Sequence, residues 1–387
     1  MKDKKKVLVL ASWYPSRVKL HLGTFVQRQA EAAAQYVQMS SLFVISDPEI
    51  KNEFDIESKI LNDVFTVNVY YKKSKNIFRR AQRFFKAYSL GWKYILNNSG
   101  KPDIVHLNIL WPAGIFAYYL KLFSGVKYII TENWTGYLDN DGTYQRSSAM
   151  KKKFTKIIAG NAEMIMPVSR DLQNAMMAHG LGSRFNVVYN VVDTSVFHPP
   201  DSSHIERQFI FLHVSTTFDD QKNVSGILKA VKMLAGKRND FELRIVSESN
   251  FSSHKITADE LNILNKFVFF ESSKEAQGVA DEMRKADCFI LFSNYENLPV
   301  VILEAMASGL PVISSAVGGV PEHISKEFGV LVQPRDSNGL YKAMEYMMEN
   351  KEKYDSKKIR EYAVENFERE VVGKKIYETY RKIFEHV

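Results

Sequence analysis

Cysteine is nearly missing from this chain of 387 residues, and that scarcity already excludes an internal disulfide. The single thiol, Cys288, lies in the apolar run Cys288-Phe289-Ile290-Leu291-Phe292 and reads as an inert core residue of a cytoplasmic protein. No apolar run approaches the roughly 18 residues that a membrane-spanning helix requires. Walker-type phosphate loops, the glycine-rich dinucleotide fingerprint, zinc-type Cys/His clusters and the metalloprotease helix are absent, so no metal or resident cofactor is indicated. Internal repeats and low-complexity tracts are absent as well. Lys2, Lys4, Lys5 and Lys6 before Val7-Leu8-Val9-Leu10-Ala11 resemble a signal peptide, but the apolar part is too short and Trp13-Tyr14-Pro15 replaces a cleavage site, so a first buried strand is expected. What remains is ordinary globular composition, 45% hydrophobic and 12% aromatic, in a chain longer than one core usually supports. Two domains are the default.

Positive charge is concentrated in the first half. Residues 1–190 carry 27 Lys and Arg against 14 Asp and Glu, whereas residues 191–387 carry 25 against 30. Much of the excess lies in Lys72-Lys73-Ser74-Lys75, in Lys151-Lys152-Lys153, and in the helix-like segment from Phe78 to Tyr88. There Phe78, Ala81, Phe85 and Tyr88 recur at helical spacing, while Arg79, Arg80, Arg83 and Lys86 fill the other faces. An interfacial helix has this profile, each basic side chain near an anionic membrane being worth about 1 kcal/mol. A layer helix with its aromatic stripe on a sheet and a solvated basic face has it too. Nucleic acid is not expected, because no recognised nucleic-acid motif accompanies the charge.

Strands and helices alternate along the chain, which argues for an α/β fold with parallel sheets. In the first half, strands are expected at Lys6–Ala11, Ser41–Ile45, Thr66–Tyr70, Ile104–Leu107, Tyr128–Thr131, Met164–Val168 and Asn186–Tyr189. Helices fill Thr24–Tyr36, Phe78–Asn97 and Pro112–Phe123. A second series of strands runs through Phe209–Val214, Phe241–Val246, Val268–Phe270, Cys288–Phe292, Val312–Ser314 and Gly329–Val332. The break between the series places a first domain at 1–190, a linker at 191–205 and a second domain at 206–364. A long helical tail, Ser356–His386, follows.

Glu296 and Glu304 stand eight positions apart across a turn that leads from the apolar strand at Cys288 into a helix entered through Pro299. Open α/β sheets bind ligands at the carboxyl ends of their strands, and a helix start attracts phosphate through unpaired N–H groups and its dipole. One carboxylate near a sugar, one near a ribose and a helix end on a diphosphate would suit a nucleotide sugar. The segment Glu296-Asn297-Leu298-Pro299 through Glu304-Ala305-Met306-Ala307-Ser308-Gly309-Leu310-Pro311, continued by Val317-Gly318-Gly319-Val320-Pro321-Glu322, resembles the donor-site signature of the large retaining glycosyltransferase family 4, the glycosyl transferases group 1 type. Val188-Tyr189-Asn190-Val191-Val192-Asp193 resembles that family's interdomain signature, and Asp219-Asp220-Gln221-Lys222-Asn223 its diphosphate-binding loop.

The resemblance implies two facing Rossmann-like domains, the GT-B fold, with a C-terminal helix (365–387) crossing back to the N-terminal domain. It implies that Glu296 contacts the transferred sugar and Glu304 the ribose. Lys222 and the N–H groups around Leu298 to Val301, those of Val300 and Val301 included, would hold the diphosphate, with basic side chains and a helix dipole in place of a divalent ion, and Asn297 and Pro299 would line the donor site. Gly23, in the loop after the first strand, matches the place where backbone approaches donor phosphate and acceptor. The chain departs from the pattern twice. Ser215, Thr216 and Thr217 stand where many members place an arginine, leaving Thr216 as a donor contact. Asn133, in Thr131-Glu132-Asn133-Trp134, stands where members commonly place a histidine. Asparagine positions a sugar oxygen but cannot act as a general acid or base; Glu132 and His106 are neighbouring candidates. The expected activity is transfer of a hexose-type unit, with retention, to a saccharide or lipid-linked saccharide in cell-surface polysaccharide synthesis. Arg79, Arg80, Arg83 and Lys86 would face the acceptor or an anionic membrane, seating the protein peripherally on its inner face. A nucleotide-sugar epimerase and a non-catalytic nucleotide-sugar-binding subunit are the alternatives.

Overall fold

The computed structural model describes residues 4–200, 207–248, 250–272 and 275–385. Lys2, residues 201–205 of the expected linker and His386 lie outside them. The chain forms two compact units, Met1–Val191 with Arg369–Val387, and Val192–Glu368. Each is an α/β unit built on one sheet.

The first unit grows from apolar runs that are buried on both faces, which only an inner parallel strand permits. Its strands are β1 (Lys6–Ala11), β2 (Gln38–Asp47), β3 (Phe54–Leu61), β4 (Val64–Lys72), β5 (Ile104–Asn108), β6 (Tyr128–Glu132) and β7 (Ile165–Pro167), arranged in the order β3-β4-β2-β1-β5-β6-β7. All pairs are parallel except β3 with β4, a hairpin turned at Asn62 and Asp63, both with positive φ. The sequence pattern missed β3 because it is a half-exposed edge strand with charged residues between its apolar ones. The strand expected at Asn186–Tyr189 does not form. Asn186 and Val188 donate to the carbonyls of Ile165 and Pro167, but Pro167 has no N–H to return, and the ladder stops at one bridge.

The helix Ile77–Ser99 buries Ala87, Tyr88, Gly91 and Ile95. Gly91 lets the helix lie close on the sheet, since a Cβ there would sit 2.4 Å from Leu42 Cδ1 and would push that side chain aside. Of the aromatic stripe expected from Phe78 to Tyr88, only Tyr88 is buried; Phe78 is 83% exposed. The stripe Phe84-Tyr88-Gly91-Ile95 in the middle of the helix faces inward instead, and the first two turns are left with exposed apolar and basic residues.

The expected tail helix breaks at Glu368, which is extended, into Ser356–Phe367 in the second unit and Arg369–Phe384 in the first. The latter packs on the alanine-rich helix Thr24–Ala34, closely enough that a Cβ on Gly373 would lie 2.3 Å from the Ala32 carbonyl oxygen. Tyr36 stacks on Tyr377 at 5.0 Å, and Arg369 Nη2 donates to Glu31 O at 3.1 Å. His106 is part of this junction. Its Nδ1 meets Tyr380 Oη at 2.6 Å and its Nε2 meets Thr131 Oγ1 at 2.7 Å, while burial pushes its pKa down to about 3. It is therefore a neutral strut inside the fold.

The second unit is parallel throughout. Its strands are β8 (Phe209–Val214), β9 (Phe241–Ser247), β10 (Val268–Ser272), β11 (Cys288–Leu291), β12 (Val312–Ser315) and β13 (Gly329–Val332), in the order β10-β9-β8-β11-β12-β13. The sheet order reverses at β8 and β11, the point at which open α/β sheets bind ligands. Residues 192–200, within the expected linker, are built into this unit. Val192 N donates to Phe367 O at 2.9 Å, Arg360 donates to the carbonyls of Thr194 and Phe197, and Phe197 is buried.

Gly373→Ala is expected to destabilise the first unit by about 1–3 kcal/mol, because the obstructing atom is backbone that cannot rotate away. Calorimetry should show the transition of the first unit lowered and that of the second unchanged.

Candidate active site

In the second unit, the loops that leave β8 and β11 at the reversal of strand order are joined to each other. Past β8, Ser215–Phe218 leads into a single helical turn, Asp219–Lys222, closed by Asn223 with φ +50. Past β11, Ser293–Pro299 leads into the helix Val300–Ala307. Asn294 N donates to Gln221 O at 2.7 Å, and Asn294 Nδ2 to Asp220 O at 2.8 Å. Lys222 Nζ forms an ion pair with Glu296 Oε1, which also accepts from Ser293 Oγ at 2.8 Å. Both side chains are largely withdrawn from water, at 14% and 6% exposed. A positive and a negative group of the expected site are thus brought together.

Two more constraints fix this site. Gly318, with φ +56, packs its backbone on the turn, and a Cβ there would fall 2.0 Å from Glu296 O; Gly319 N donates to Asn297 O at 2.7 Å. His213, which the sequence reading passed over, braces the first loop from inside β8. Its Nδ1 meets Ile290 O at 2.9 Å and its Nε2 meets Ser215 Oγ at 2.8 Å, and Ser215 Oγ in turn accepts from Thr217 N at 3.0 Å. Burial lowers His213 to about 4, so the ring is neutral. The signal was a lone imidazole at the end of the apolar strand Phe209-Ile210-Phe211-Leu212-His213-Val214.

Pro299 takes the position before the helix and not its first turn. The N–H groups of Val300 and Val301 have no acceptor within the helix, and both residues are partly exposed. Leu298, Asn297 and Glu304 are buried, Glu304 being just over one turn into the helix. Thr216 is exposed, and neither it nor Ser215 or Thr217 supplies a cation. Of the expected donor-binding groups, the edge therefore presents the lysine Lys222, a helix start and the carboxylates Glu296 and Glu304. Among the described residues no three His, Cys, Asp or Glu side chains gather as a metal site would require.

Gly23 and Asn133 belong to the first unit. Gly23, with φ +71, opens the helix Thr24–Ala34 and crosses the chain at Trp13, whose carbonyl carbon would be 2.5 Å from a Cβ. Asn133 follows β6. Glu132 before it is fully buried and accepts from Leu110 N at 3.0 Å and from Asn133 N and Trp134 N at 2.9 Å. Burial pushes Glu132 up to about 7 against these three donors, which favour its anion. It shapes the loops after β5 and β6. Arg79 and Arg80 are exposed, while Arg83 and Lys86 pair with Glu53 at 3.1 and 3.8 Å.

Two sheets of this topology with a returning C-terminal helix define the GT-B class of glycosyltransferase fold. Anabaena Alr3699/HepE, solved with UDP and glucose, superposes with a TM-score of 0.71 at 15% identity, covering 98% of this chain and 99% of that one. The family model "Glycosyltransferase Family 4" matches residues 43–196, and "Glycosyl transferases group 1" matches residues 197–366. The chain belongs to this glycosyltransferase family. It is 25% identical over 352 residues to the uncharacterized glycosyltransferase MJ1178 of Methanocaldococcus jannaschii, covering 90% of this chain and 89% of the relative. It is 22% identical over 356 residues, 88% of each chain, to the putative teichuronic acid biosynthesis glycosyltransferase TuaC of Bacillus subtilis.

Removing one partner of a buried ion pair leaves an uncompensated charge. Lys222→Met is expected to destabilise the second unit by about 3 kcal/mol, and Lys222→Met with Glu296→Gln by much less. Urea titrations of the four species of this cycle test it.

Proposed function

We propose that the protein moves a hexose-type unit from a nucleotide diphosphate sugar to a saccharide or lipid-linked saccharide, with retention of anomeric configuration, in the synthesis of a cell-surface polysaccharide. The observation that carries this reading is the Lys222–Glu296 pair beside the start of the helix Val300–Ala307. In the proposed reaction Lys222 and the helix N–H groups take up the charge that develops on the diphosphate as the sugar–phosphate bond breaks. Glu296 turns from Lys222 to a sugar hydroxyl, and Glu304 holds the ribose. Basic side chains and the helix start do the work of a divalent ion. Asn133 orients the sugar without exchanging protons. The occurrence of UDP with glucose in HepE and the role named for TuaC support the donor and the pathway class.

A peripheral seat on an anionic membrane belongs to the same proposal. The helix Ile77–Ser99 exposes Ile77 and Phe78 beside Arg79 and Arg80, and a cavity of about 310 Å³ lined by Glu53, Arg79, Gln82, Arg83 and Lys86 opens next to them. Apolar residues for the acyl boundary and cations for headgroups suit an interfacial helix. No helix among the described residues is long and apolar enough to cross a membrane.

Thermal unfolding with UDP, GDP, ADP and their sugars is expected to show stabilisation by one nucleotide class, about 2.7 kcal/mol at 100 times the dissociation constant, and its loss in Glu304→Ala. Turnover of the donor without an acceptor would favour the epimerase, and binding without nucleotide release the non-catalytic subunit. Sedimentation with vesicles of phosphatidylglycerol is expected to show salt-sensitive binding that drops on reversing Arg79, Arg80 and Arg83 to Glu. Binding indifferent to both would remove the membrane from the proposal.

A further inference from the structure

Two tryptophans stand at the carboxyl ends of neighbouring parallel strands in the first unit. Trp111 follows β5 by three residues and Trp134 follows β6 by two. This is the edge of an open α/β sheet on which ligands are held. Both indoles are partly exposed and fixed in place. Trp111 Nε1 donates to Thr155 Oγ1 at 2.7 Å. The Trp134 ring covers Gly136, where a Cβ would lie 2.1 Å from it, and meets Tyr137 edge to face at 4.9 Å.

Lys151 joins them. Its Nζ lies 5.1 Å from the centre of the Trp134 ring and 5.9 Å from that of Trp111, and no carboxylate among the described residues pairs with it. The lysine is only partly exposed. Within the same loop, Asn133 Nδ2 is buried without a hydrogen-bond partner. An ammonium with no carboxylate partner and two aromatic surfaces meet on this edge, and an unused amide donor lies in the loop that carries Trp134.

We infer that this edge binds an acidic saccharide, a pyranose ring bearing a carboxylate or a phosphate. The apolar C–H face of a pyranose packs on indole, and the acidic group replaces water on Lys151 with a charge-assisted hydrogen bond. The inference rests on the glycosyltransferase reading, in which this saccharide is the acceptor. Specificity for acid over neutral sugar then resides in Lys151.

The test is a titration of the tryptophan fluorescence of the full chain, without donor, using methyl glucuronide, glucose 1-phosphate, methyl glucoside, inorganic phosphate and UDP. Saturable change with the glucuronide or the sugar phosphate is expected, at concentrations about tenfold below those needed for the neutral glucoside. Whichever of the two responds identifies the source of the acid group. Lys151→Gln should weaken the acidic sugar about tenfold and leave the glucoside unchanged. Equal response to glucoside and glucuronide, an unaltered Lys151→Gln, or the same change with phosphate or UDP alone would each overturn the inference. The donor-induced thermal shift is read separately, so failure here and failure of the glycosyltransferase reading are distinguishable.

Discussion

The ion pair between Lys222 and Glu296 is the contact on which the second unit's ligand edge depends. Two buried charges are costly apart and tolerable together, and their meeting draws the loop after β8 onto the loop after β11. Everything else at that edge serves the same end. His213 supports the first loop from within its strand, and Gly318 and Gly319 press on the backbone of the second. The pair also holds the two groups in mutual neutralisation, largely withdrawn from water.

How far the sequence disclosed this follows from the range over which each signal acts. Glu296, Glu304 and the helix start between them are local, and strand pattern, proline and spacing place them together. From the residues alone Lys222 was a lysine in a loop, and only the family resemblance gave it a phosphate role; its pairing with Glu296, 74 positions away, was not legible, because nothing in either segment names the other. His213 left a fainter trace, because an imidazole in a strand looks the same whether it braces a loop or merely finds a partner. The helix Ile77–Ser99 shows a different failure. Two apolar stripes share Tyr88, and local periodicity selected the one nearer the start of the helix; only the sheet beneath, with Leu42 against Gly91, decides between them. The edge strand β3 escaped because its apolar residues are few and half exposed.

The first unit organises the carboxyl edge of its sheet with less charge. Glu132 gathers the chain after β5 and after β6 by taking one N–H from the former and two from the latter. A buried carboxylate used in this way orients the two loops that carry Trp111 and Trp134, whose indoles both lie against Lys151.

The helix Arg369–Phe384 belongs to the first unit although the whole of the second unit precedes it in the chain. During synthesis the alanine face of Thr24–Ala34 must therefore wait, uncovered, while more than three hundred further residues emerge. The internal unit has all of its strands before the outer one has its last layer. Vectorial folding, which ordinarily completes the amino-terminal domain first, is here inverted. A nascent chain arrested before Val372, Ile376 and Tyr380 would carry a finished second unit and a first unit with an open apolar seam, the form of this protein most exposed to chaperones and to aggregation.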